Sequence, residues 1–179
     1  VPHKTTDDDW LNSGYKMTGV LVIGYGSLVR GDDAAGFLAA RELERHFRND
    51  ADVEVWAAPQ LTPEMAEAIA ECSFVLFVDA TIEEEPGTIR WMRVEPQSGS
   101  NGFTHHLSPA SLVGAAQQLY GDAAPAMAVT LSGWQFELAD GLSAGAQKRL
   151  PELVRQAKDV VARYRKLVHL PTGSCLLAE

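Results

Sequence analysis

The sequence predicts a single three-layer α/β/α domain, built on a parallel sheet core of about five strands. Three observations lead there. Two uninterrupted apolar runs, Val20–Ile23 and Phe74–Val78, read as strands buried on both faces. Segments with helical spacing lie between the strand patterns, which implies right-handed crossovers and parallel pairing. Two Thr/Ser-Pro pairs, Thr62-Pro63 and Ser108-Pro109, mark helix starts by an N-cap residue followed by proline in the first helical position.

The elements follow in order. Val20–Ile23 runs into Gly24-Tyr25-Gly26, and a short polar turn delivers Asp32 and Asp33 to a helical pattern. In that pattern Phe37, Ala40, Leu43 and Phe47 recur on one side, with Arg41, Glu42 and Arg45 on the other. Val53–Ala57 is a short strand, and the helix opened by Thr62-Pro63 continues through Met65, Ala66, Ile69 and Ala70. The run Phe74–Val78 ends on Asp79. Glu83–Gly87 reads as an exposed turn, since a run of like charge is most simply solvated. Thr88–Val94 alternates as a half-exposed edge strand. After a Gly/Ser-rich loop (98–102) and Phe103-Thr-His-His-Leu, Ser108-Pro109 opens a helix through Leu112, Ala115, Ala116 and Leu119. Met127–Leu131 is the fifth strand and Gly133–Ser143 a long aromatic loop. The last helix starts near Ser143, bends at Pro151 and carries Leu153, Ala157, Val160, Val161 and Tyr164 inward.

Composition narrows the function classes. A chain of 179 residues with 46% hydrophobic content suits one domain with a substantial core. A net charge of −9 opposes nucleic acid or an anionic membrane as partner and is compatible with a basic peptide or protein. Cys72 and Cys175 form no metal-ligand spacing and no disulfide framework, which fits a reducing, cytoplasmic setting. Residues 1–16 are polar, with Asp7-Asp8-Asp9, and are expected to be a leader or disordered extension. The folded domain is expected over 17–170, with 171–179 as a flexible tail.

A nucleotide-binding turn fits poorly. Gly24-x-Gly26 follows a strand, but Val29 stands where a third glycine belongs. The second strand ends in neutral residues, Val55-Trp-Ala-Ala-Pro-Gln, without the acid that holds a ribose. No Gly-Lys-Ser or Gly-Lys-Thr occurs, and paired aspartates would repel a phosphate. No nucleotide cofactor is expected.

The pattern instead gathers acids at one sheet edge. Asp33 or Asp32 follows the first strand and Asp79 ends the third. With the second strand on the outside, strands one and three become neighbours, which places these carboxylates side by side. His105 and His106 precede a helix that returns to the sheet. Two carboxylates and an imidazole suit a divalent ion such as nickel or zinc, with positions left open for substrate or water. Each also has a structural use: Asp33 as a helix cap, Asp79 as an acceptor for loop amides, one histidine as a loop residue. No Gly-x-Ser-x-Gly nucleophile elbow is present, and Cys72 reads as an inert core residue.

These residues carry a likeness. Ile23-Gly-Tyr-Gly-Ser-Leu-Val-Arg-Gly-Asp-Asp-Ala-Ala-Gly36 resembles the N-terminal signature of the nickel–iron hydrogenase maturation proteases. The resemblance continues through Leu61-Thr-Pro-Glu64, Phe77-Val-Asp-Ala80, Thr104-His-His-Leu-Ser-Pro109 and Asp140-Gly-Leu-Ser143, in order, from about Val20 to Leu167. It implies a phosphorylase/hydrolase-like α/β fold whose mixed, mostly parallel sheet has one antiparallel strand, either Thr88–Val94 or Met127–Gly133. It implies an endopeptidase that removes a C-terminal extension from a hydrogenase large-subunit precursor after nickel insertion. By motif, Asp33, Asp79 and His105, with His106 in reserve, are the catalytic, metal-contacting positions, and the nickel is supplied by the substrate. Ser27 departs from the family's usual Asn without removing a ligand. The competing readings are a stand-alone metal-dependent peptidase, a non-catalytic nickel or precursor-binding factor and, more weakly, an α/β oxidoreductase.

Overall fold

The computed structural model describes residues 18–97 and 107–168. The expected leader, the 98–106 segment with His105 and His106, and the C-terminal stretch with Cys175 lie outside them. The chain forms β1 (Thr18–Tyr25), a 3-10 turn (Gly31–Ala34), α1 (Ala35–Phe47), β2 (Val53–Ala58), α2 (Met65–Glu71) and β3 (Cys72–Thr81). It continues through β4 (Ile89–Val94), α3 (Pro109–Tyr120), β5 (Ala126–Ser132) and α4 (Ala144–Val168).

The sheet order is β2-β1-β3-β5-β4. β1 pairs in parallel with β2 and β3, and β3 with β5, while β4 runs antiparallel to β5 at the edge. The sheet is therefore mixed and mostly parallel, and of the two candidate antiparallel strands the one after Thr88 is correct. β2 sits outside β1, so β1 and β3 are neighbours, in register with Val22 beside Leu76 and Gly24 beside Val78.

Alternation along the strands divides the core into two layers. Val20, Val22, Phe74, Leu76 and Val78 face α1 and α4, meeting Ala39, Leu43, Leu153, Ala157 and Val161. Leu21, Ile23, Val75 and Phe77 face α2 and α3, meeting Ala66, Ile69, Leu112, Val113 and Ala116. Each fully buried Phe or Leu contributes about 1.5–3 kcal/mol. Phe74 stacks on Tyr164 of α4 at 4.3 Å between centroids, and the Tyr164 hydroxyl donates to the Ser73 carbonyl at 3.0 Å. Cys72 is buried, as its apolar context suggests.

Several local expectations are refined. Ser108 caps α3 as predicted, in a reciprocal box: its hydroxyl accepts from Ser111 N at 3.2 Å, and Ser111 Oγ accepts from Ser108 N at 2.9 Å. Thr62 does not cap α2. A turn intervenes, with the Thr62 carbonyl accepting from Met65 N at 3.1 Å, and the helix starts at Met65. The Thr62 hydroxyl is spent on the Glu64 carboxylate, which that bond and the residue's own backbone N–H, the larger cause, hold below its ordinary range. α4 passes through Pro151 as one helix of 25 residues. Among the described residues no helix is long and apolar enough to cross a membrane.

Candidate functional site

The C-terminal ends of β1 and β3 meet the start of α1 at unusually short range. A Cβ on Gly24 would lie 2.3 Å from the Gly36 carbonyl oxygen and 2.5 Å from Ala40 Cβ. A Cβ on Gly36 would lie 2.3 Å from the Val78 oxygen and 2.4 Å from the Tyr25 oxygen. Glycine at both positions lets the helix start press against the two strand ends. Between them, Gly26 takes φ 141°, and a Cβ there would fall 1.8 Å from the Asp33 carbonyl oxygen. The glycines thus fold the 27–33 turn back over the strand and bring Asp33 towards Asp79.

The two acids of the pair have different surroundings. Asp33 is partly accessible, and its Oδ2 accepts from the Ser27 backbone N–H at 2.7 Å. That bond needs no side chain at position 27, so serine serves there as well as asparagine would. Asp32 is fully buried. Its carboxylate accepts from Trp134 N (2.7 Å), Gln135 N (3.2 Å), Ser143 N (2.7 Å) and Ser143 Oγ (2.8 Å). Neither acid caps the helix, since no side-chain capping bond forms at the 3-10 turn or at α1. Asp32 is structural in another way: it ties the 133–143 loop to the first turn, more than a hundred residues away in sequence. Three backbone bonds reinforce the tie, Asp32 N to Gln135 O at 2.9 Å, Gly31 N to Ala139 O at 3.3 Å and Ala139 N to Val29 O at 3.2 Å.

Asp79 ends the apolar run of β3 beside Tyr25. The Tyr25 hydroxyl donates to Asp79 Oδ2, and Ala80 N donates to Asp79 Oδ1 at 2.7 Å. Burial, with a further contribution from the Asp33 charge, pushes the Asp79 carboxyl up to about 7 against the opposing effect of those two bonds. Burial, followed by the nearby carboxylates, also raises the Tyr25 hydroxyl far above its ordinary value. The Asp33 charge therefore reaches Asp79 at the place where open α/β sheets put their ligands.

Of the residues singled out in sequence, Asp33 and Asp79 come together, Asp32 turns away into the loop latch, and His105 and His106 lie outside the described residues. Among the described residues no three His, Cys, Asp or Glu side chains cluster as a metal site. The histidines precede Ser108, where α3 begins, and α3 leads through 121–125 into β5. The start of α3 thus lies towards the edge where β5 ends. Tyr25 is the contact that sequence reasoning missed; the available signal was a polar-tipped aromatic between two glycines, next in register to Asp79. Ser132 is fully buried at the end of β5. Its hydroxyl donates to the Glu84 carbonyl at 2.6 Å and pins the 81–87 turn to the end of β5.

No protein-family model and no curated protein sequence matches the chain. Solved structures do. The chain is similar to the crystal structure of a NiFe hydrogenase maturation protease, HycI, from Thermococcus kodakarensis KOD1, with 22% identity, 88% of this chain and 97% of that one covered, and a TM-score of 0.64. The hydrogenase maturating endopeptidase HybD from E. coli matches at 21% identity over 83% of this chain and 93% of its own, with a TM-score of 0.64. A hydrogenase 2 maturation peptidase from Thaumarchaeota archaeon SCGC_AB-539-E09 matches at 18% over 81% and 99%, with a TM-score of 0.60. At these identities the likeness is one of fold, shared over almost the whole length of each relative.

Proposed function

We propose that the chain is an endopeptidase that removes the C-terminal extension of a nickel–iron hydrogenase large-subunit precursor, reading the nickel that the precursor carries. The observation that supports this most is the placement of Asp33, in the 3-10 turn that follows β1, beside Asp79 at the end of the adjoining parallel strand β3, in a fold shared with proteases of that name. Asp33, Asp79 and His105, with His106 in reserve, are the residues proposed to complete the coordination of the substrate's metal.

The donor set suits that task. Carboxylates and an imidazole without thiolate suit nickel or zinc and make a site weak enough to share an ion with a substrate that holds it. Burial and the neighbouring Asp33 charge disfavour the Asp79 anion, and an arriving divalent cation supplies the charge that favours it. The Tyr25 hydroxyl and Ala80 N–H fix the Asp79 carboxylate, and Ser27 N–H fixes that of Asp33, so both are oriented before substrate arrives. The substrate's nickel contributes Lewis acidity beside the scissile bond.

The test uses Asp33→Asn and Asp79→Asn, which preserve side-chain size. Both variants are expected to keep the native circular dichroism spectrum and to lose cleavage of nickel-loaded precursor. Normal processing by either one would remove these residues from the site. Binding of precursor without any cleavage by the parent chain would favour a nickel- or precursor-binding factor.

A further inference from the structure

The edge that carries Asp33 and Asp79 has a second character. Leu28 and Val29 leave β1 at 46% and 55% exposed, Ile82 leaves β3 at 76%, and Leu138 leaves β5 at 85%. These side chains do not sit on loose loops. Ser132 Oγ bonds the Glu84 carbonyl at 2.6 Å, and Gly133 N bonds the Thr81 carbonyl at 3.0 Å, so the β3 loop is tied to the end of β5. Asp32 and the Val29–Ala139 bonds tie the β5 loop to the β1 turn. Three cross-linked loops therefore hold large apolar side chains out into solvent, where they gain nothing for the folded chain alone.

The same three segments, 26–34, 79–88 and 133–143, contain eight acidic residues against Arg30 alone. Asp32, Asp33 and Asp79 belong to the latch and the site. Glu83, Glu84, Glu85, Glu137 and Asp140 line the outside, and only Glu84 has an ion-pair partner among the described residues, Arg90 at 3.1 Å. Two cations reach these segments from outside, Arg90 on Glu84 and Arg149, whose Nε donates to the Gly87 carbonyl at 2.9 Å, and the edge keeps an excess of negative charge interleaved with apolar side chains. An anionic membrane or nucleic acid would be repelled there, and a purely apolar partner would have to strip water from carboxylates.

We propose that this rim docks a polypeptide segment carrying lysine or arginine among apolar residues and so presents the substrate to Asp33 and Asp79. The inference rests on the reading of the site as one that acts on a protein. Apolar residues of the segment cover Leu28, Val29, Ile82 and Leu138, and its cations face the glutamates, which gives register as well as attraction.

The probe is a fluorescein-labelled peptide of leucine, lysine and glycine, followed by anisotropy with the full chain. Two comparison peptides replace lysine by glutamate or leucine by serine. Val29→Ser/Leu138→Ser and Glu83→Gln/Glu85→Gln/Glu137→Gln are each expected to weaken binding about tenfold. Glu42→Gln/Glu67→Gln, on helices away from this edge, is expected to leave it unchanged. Equal binding by rim and control variants, equal binding of either comparison peptide, or no binding of the leucine–lysine peptide would overturn the proposal. In precursor cleavage the rim variants are expected to raise KM with kcat retained. If the parent chain binds the peptide through the rim but cleaves no precursor, the functional reading fails and the docking surface stands. If it cleaves while rim variants keep their KM, the docking surface fails and the functional reading stands.

Discussion

Replacing Asp79 by asparagine separates what the site needs from what the fold prefers. In the unfolded chain this carboxyl ionises near 3.8, whereas in the folded chain burial above all holds it up to about 7. Between those values the folded chain keeps a proton that the unfolded chain has released, so stability falls as pH rises. The contribution of protonated Asp79 is complete below about pH 4 and is lost as pH climbs towards 7 and beyond. At 1.36 kcal/mol per unit, a shift of about three units sets an upper limit of about 4 kcal/mol by pH 8. Partial solvent access to the carboxyl brings the expected effect to about 1–3 kcal/mol. Asparagine keeps the geometry: its amide oxygen accepts from Ala80 N, and its NH2 group donates to the Tyr25 oxygen. Urea unfolding at pH 5 and pH 8 reads the difference. Asp79→Asn is expected to match the parent chain closely at pH 5, to exceed its stability at pH 8, and to be inactive on precursor at both. An equal offset at the two pH values, or a less stable variant at pH 8, would refute the reasoning about burial.

Two other substitutions probe the scaffold. Asp32→Ala strands three loop amides and the Ser143 hydroxyl without their acceptor. It is expected to cost about 3 kcal/mol or more in urea unfolding and to speed amide exchange across 134–143; a loss under about 1 kcal/mol would mean that water replaces the carboxylate. Gly26→Ala puts a methyl group 1.8 Å from the Asp33 carbonyl oxygen at φ 141° and is expected to cost about 1–3 kcal/mol. It should also impair precursor cleavage though no acid is removed, and undiminished cleavage would show that the turn does not position Asp33.

Which parts of this structure were legible in the sequence follows from the range of the interactions involved. The runs Val20–Ile23 and Phe74–Val78 announced strands buried on both faces, and adjoining β1 and β3 then brought Asp33 and Asp79 to one edge. Ser108 and Ser111 lie within one helical turn of each other, so that cap was readable locally. The Asp32 latch was not, because its donors come from Trp134, Gln135 and Ser143, and nothing near Asp32 in the chain announces them. Thr62-Pro63 misled for the opposite reason: a local signature was present, but the Glu64 carboxylate competed for the hydroxyl. Tyr25 read only as part of the Gly24–Gly26 turn until the register placed its hydroxyl against Asp79. The apolar rim escaped notice because Leu28, Val29, Ile82 and Leu138 are ordinary residues singly and acquire meaning only when three loops are brought side by side.

The most direct measurement mixes the chain with nickel-loaded and nickel-free hydrogenase large-subunit precursor and follows the mass of the product. If Asp33 and Asp79 read the substrate's metal, only the loaded precursor loses its C-terminal extension. Equal cleavage of both forms would contradict metal-gated recognition.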